Sequence, residues 1–158
     1  MSLTYLWLKW AHILSATVLL GTGLAIYYFK YRSDRSGDLA VVAGVSRLAV
    51  AAVWLFTAPA VVIQLVTGVW LVHLRGLSLT EGWVLASLVL YFLVGACWLP
   101  VVGLQIRMRD ITQRCLATGA ALPAEYGRYR RIWTLLGWPA FGAILVIVYL
   151  MIFKPASW

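Results

Sequence analysis

Acidic residues are scarce in this sequence: five Asp and Glu stand against thirteen Lys and Arg in 158 residues. Charged residues of both signs make up only 11% of the chain, where soluble domains carry about 25%. None of the five carboxylates falls inside a long apolar run, so the intramembrane carboxylate relays of proton-coupled pumps are missing, which argues against that class. Cysteine is limited to Cys97, within an apolar run, and Cys115, in a basic segment. Neither has metal-site spacing, and nothing in the sequence pairs them. Nucleophile–base pairs, phosphate loops and zinc signatures are absent. Gly21 and Gly23 form a Gly-x-Gly, but it lies in an apolar run with no strand before it and is not a nucleotide motif. The first apolar stretch is too long for a secretory signal, and no convincing small-residue cleavage site follows it.

What remains is apolar. The chain is 63% hydrophobic with a mean hydropathy of +0.90, and it holds nine Trp and eight Tyr. Crossing the hydrocarbon takes about 20 apolar residues in a helix, and four stretches qualify, at about 5–29, 48–74, 83–106 and 132–153. The expected fold is all-α: a single four-transmembrane-helix domain. Asp38 is a plausible N-cap, and Arg47 delays the membrane core of span two, so 39–46 is either an inner extension or a surface helix. Pro59 should disturb that span. Gly76 suits a helix end, Ser78 and Glu81 read as a capping box, and 107–116 should extend span three until Gly119 ends it.

Ten of the thirteen cations flank the inner ends of these spans. They are Lys30, Arg32, Arg35 and Arg47, then Arg107, Arg109, Arg114, Arg128, Arg130 and Arg131. Only Lys9, Arg75 and Lys154 remain for the other side, so the positive-inside rule predicts both termini outside. The same rule accounts for the net charge of +8 without nucleic acid. The expected location is a bacterial inner (cytoplasmic) membrane, multi-pass, with the lipid bilayer as first partner.

Ionisable and polar residues within spans are costly, which makes them functional candidates. His12 lies two turns into span one, with Lys9 one turn above it. An imidazole there is either an axial haem ligand or a group hydrogen-bonded to a neighbouring helix. His73, at the outer end of span two, would complete a bis-histidine site, although at 100° per residue it falls opposite Gln64. Three stripes mark the expected interior: Thr57, Gln64, Gly68 and Arg75; Ser87, Tyr91, Trp98 and Gln105; and Trp138, Gly142 and Tyr149. They either pack helices or line a cofactor or quinone pocket. Arg75 and Lys9 either meet haem propionates or anchor to headgroups. Ser15, Gly21 and Gly23 leave room on span one for a helix or a flat ligand.

The run Leu6-Trp7-Leu8-Lys9-Trp10-Ala11-His12-Ile13-Leu14-Ser15 resembles the first helix of small bacterial membrane proteins. That group includes the HemJ-type protoporphyrinogen oxidases and the membrane part of CopD-type copper-resistance proteins. Thr57-Ala58-Pro59, Gln64 to Gly68, Tyr91 with Trp98-Leu99-Pro100, and Gln105 to Arg109 look most like a family of predicted integral membrane proteins of unknown function. The HemJ resemblance implies haem b with His12 as a ligand. The chain departs from that pattern because spans two to four hold no lysine before Lys154, which argues against protoporphyrinogen oxidation.

The expectation is a haem b-binding membrane protein with an electron-transfer role. It would act with quinone, as an oxidoreductase or as a subunit of a respiratory complex, and glycine and aromatic faces would permit a homo-oligomer. The candidate cofactor residues are His12, His73, Lys9, Arg75, Gln64, Tyr91 and Trp98, with the two histidines on the metal. The alternative is a non-redox accessory or scaffold subunit. Copper handling, by analogy with CopD, finds no cluster among Met1, Met108 and Met151.

Overall fold

A computed structural model describes residues 2–155, and within them the chain is helical with no strand. Helix α1 covers Leu3–Ser36, α2 Leu39–Ala52, α3 Ala58–Leu74, α4 Gly82–Thr118 and α5 Ala124–Phe153. A π-helical turn, Val53–Thr57, joins α2 to α3, so that Leu39–Leu74 runs as one rod. Four helices are therefore long and apolar enough to cross a bilayer. Residues 39–46 belong to the rod as an inner extension.

Local signals account for most of the ends. Asp38 caps α2 by accepting from Ala40 N at 2.8 Å. Gly76 and Gly119 take left-handed φ values of 65° and 68° just past α3 and α4, a conformation that costs glycine little. The capping box does not form as expected. Helix α4 begins at Gly82, and the Glu81 carboxylate takes the Trp83 indole N–H at 3.2 Å instead of reaching back. Pro59 sits just after the π turn. The wider turn makes room for a ring that would otherwise meet the carbonyl of Leu55 and cannot donate to it.

The helices associate as two pairs, α1 along α3 and α4 along α5. In the inner half α2 packs on both α1 and α4, while α1 touches α5 only slightly. The inner half is filled by Val42, Met108, Ile111, Cys115, Tyr126 and Trp133. Gln113 ties α4 to α2 by donating to the Ala43 carbonyl at 2.9 Å. Beside this core Lys30, only 2% exposed, pairs with Asp34 at 2.9 Å. The Tyr126 hydroxyl accepts from Lys30 and donates to Asp34, fastening α5 to α1.

The outer half is looser. The accessible surface is 9688 Å², against about 7,900 Å² for a compact soluble protein of this mass. Much of this whole-chain excess is apolar and faces outward along the full length of the bundle, as with Trp54, Leu55 and Phe56 on the π turn at 60%, 68% and 50% exposure. In water such a surface would drive aggregation; in hydrocarbon it is the solvated face.

Candidate functional site

His12 is held between helices by both ring nitrogens. Thr67 donates its hydroxyl to the Ile63 carbonyl at 2.5 Å, one turn back along α3. That hydroxyl proton is spent, so the 2.9 Å contact between His12 Nδ1 and Thr67 Oγ1 has the imidazole as donor. His12 Nε2 is then the acceptor, and Gln64 Nε2 donates to it at 3.0 Å. Gln64 Oε1 in turn accepts from the Ser15 hydroxyl. Among the described residues the second Gln64 amide N–H has no partner. Gly68 lets the ring approach, since a Cβ there would stand 3.0 Å from His12 Cε1. Of the two readings of His12, the interhelical hydrogen bond is therefore present in the fold.

This network lies on the wall of a cavity of about 930 Å³ between the two helix pairs. Every member of the first two predicted stripes lines it: Thr57, Gln64, Gly68 and Arg75, and Ser87, Tyr91, Trp98 and Gln105. Lys9 and His12 line it too. Tyr91 also spans the gap between pairs by donating to the Val61 carbonyl on α3 at 2.9 Å. The third stripe needs correction. Trp138 lines the cavity, but Gly142 and Tyr149 are exposed and lie off it, and α5 presents Gly137, Phe141 and Ile144 instead. Glycine and tyrosine are poor guides on a lipid-facing helix because neither is costly there, whereas Gln, Ser and Thr are. His73 is exposed and does not line the cavity, so His12 and His73 do not form a ligand pair across it. Of the small residues of span one, Ser15 is buried in the network and Gly23 lines the cavity, while Gly21 is exposed and does not.

The cavity is a half-open cleft with mostly apolar walls. In a bilayer a lipid chain or a ligand fills it. The outer mouth carries Tyr5, Lys9, Arg75 and Lys154. Towards the inner end, Thr57, Gln105 and Trp133 each hold a buried polar atom without a partner among the described residues. Trp133 was not legible as a site residue; its ring stacks on Tyr27 at 6.0 Å in the cavity floor. Among the described residues no group of three or more His, Cys, Asp or Glu could hold a metal ion.

The donor set speaks to haem directly. An iron ligand needs the Nε2 lone pair, which is turned to the Gln64 amide, and the second histidine is elsewhere. A bis-histidine haem does not fit these side chains as they stand. Among the described residues the Gln64 amide keeps one free donor on the cavity wall.

No curated protein and no solved structure matches the chain. The family model described as "Predicted integral membrane protein (DUF2269)" matches residues 6–155. The chain belongs to that family of predicted integral membrane proteins.

Proposed function

We propose that this family member binds a redox-active amphiphile inside the bilayer, and that the ligand is a quinone. The observation that carries this reading is the apolar cavity of about 930 Å³, with the Gln64 amide on its wall holding one unused donor. Cofactor sites are concave, mostly apolar and about 300–1,000 Å³, with a few placed polar groups. A quinone ring would accept from Gln64 near His12, and its isoprenoid tail would lie along the apolar walls of α4 and α5. Electrons would come from a different, redox-active protein bound beside it, so the reading includes a larger complex of the bacterial inner membrane.

Haem b is the second reading, favoured by His12 and by Lys9 and Arg75 at the mouth. It requires the Gln64 amide to swing away from Nε2 so that His12 alone reaches the iron. Purification in mild detergent, solvent extraction and an absorption spectrum separate the cases. Extracted quinone near one per chain supports the first. A Soret band lost in His12→Ala supports the second. Protein free of both, which still gains no thermal stability from added quinone, contradicts the proposal and leaves the accessory-subunit alternative.

A further inference from the structure

The chain has only three cations at its outer end, Lys9, Arg75 and Lys154, and all three line the mouth of the same cavity. Among the described residues no carboxylate pairs with any of them. Glu81, the single outer carboxylate, is turned to the Trp83 indole. Aromatic rings hold two of the cations in place: Arg75 lies 5.7 Å above the Tyr5 ring and donates to its hydroxyl at 3.2 Å, and Lys154 lies 5.8 Å above Trp83. The mouth is thus net positive and partly pre-ordered, with Glu81 bonded to Trp83 rather than in a direct ion pair, and it opens onto apolar walls. A free phosphate would match the rim and leave the walls uncovered. A neutral lipid would match the walls and leave the rim unpaired.

We infer that the mouth is a binding site for one anionic phospholipid of the outer leaflet. Its phosphate sits among Lys9, Arg75 and Lys154, and one acyl chain descends into the cavity. Arg75 supplies the planar fork suited to phosphate, and the two lysines act as point charges. The site does not rest on the quinone reading. It adds to it, because the acyl chain and a quinone tail would claim the same volume, so quinone binding would release the lipid.

The test uses the full chain in nanodiscs of equal phosphatidylglycerol and phosphatidylcholine, followed by mild extraction and native mass spectrometry. The expected result is one phosphatidylglycerol retained per chain, with phosphatidylcholine at least tenfold rarer. The triple variant Lys9→Gln, Arg75→Gln, Lys154→Gln should lose that preference, whereas Arg128→Gln with Arg131→Gln at the inner end should keep it. Gly95→Leu fills the cavity with the charges intact, since a Cβ at Gly95 meets nothing within 4 Å. It should also lose the lipid, and Gly137→Leu provides a second cavity-filling variant if the first fails to fold. Equal retention of both lipids, or displacement of the lipid by millimolar inorganic phosphate, would overturn the inference. So would full retention in the folded cavity-filling variants, which would place the headgroup on the surface without the chain inside. A protein that carries phosphatidylglycerol but never quinone overturns only the quinone reading.

Discussion

The inner and outer halves of this bundle use polar residues in opposite ways. In the inner half Lys30, Asp34 and Tyr126 close on one another at the junction of α1 and α5, beside a packed core. These three groups satisfy one another, and the result is a clamp. In the outer half the helix pairs part, the His12 network faces a cavity, and among the described residues the three cations form no ion pair. The same chain thus uses a buried ion pair to hold helices together at one end and leaves its cations exposed around a cavity at the other. The inner half is the scaffold, and the outer half is where a ligand gains most from binding.

Breaking the clamp should have the largest effect. Lys30→Ala leaves the Asp34 carboxylate, its side chain 3% exposed, without its cation. A loss of about 3–5 kcal/mol is expected, read as a lowered unfolding midpoint in detergent. Replacing both partners as Lys30→Met with Asp34→Leu should restore much of it. Arg109→Ala removes the contrasting exposed pair with Asp110 and should cost under about 1 kcal/mol.

Effects in the outer half should be smaller on stability and larger on binding. His12→Ala strands the Gln64 and Thr67 polar groups, a cost of about 1–3 kcal/mol in the same unfolding assay. Gly68→Ala pushes a methyl to 3.0 Å from the imidazole and should cost about 1–3 kcal/mol by overpacking, with weakened ligand binding in a titration of added quinone. Gln64→Leu removes the free donor, worth about 1 kcal/mol and hence several-fold in Kd. Gly95→Leu should leave the melting temperature unchanged or raise it while abolishing ligand uptake. That outcome would sharpen the contrast most, because scaffold and site would then be separated by one substitution.

How much of this was legible in the sequence depended on what each residue costs in lipid. Gln64, Thr57, Ser87 and Gln105 are expensive against acyl chains, so their spacing reported the inward faces of spans two and three correctly. Gly142 and Tyr149 carry no such penalty, and the face of α5 was misplaced for that reason. The helix ends at Gly76 and Gly119 and the cap at Asp38 followed from backbone chemistry and were readable. The start of α4 was not, because Glu81 chose the Trp83 indole over the backbone. The clamp was half visible: Lys30 and Asp34 stand four apart on one helix, but they read as ordinary flanking charge. Tyr126 arrives from 92 residues away, and no local pattern announces it. The cavity itself was invisible in composition, since it arises from how two helix pairs diverge, which side-chain periodicity does not encode.

A quinone titration in nanodiscs shows whether the outer half holds a ligand between α3 and α5. Wild type and Gly95→Leu, equally folded, would be compared for affinity. Saturable binding near one per chain is expected in the wild type, and at least tenfold weaker binding in the variant. Equal, non-saturating uptake by both would mean that quinone only partitions into the lipid, and it would contradict a quinone site there.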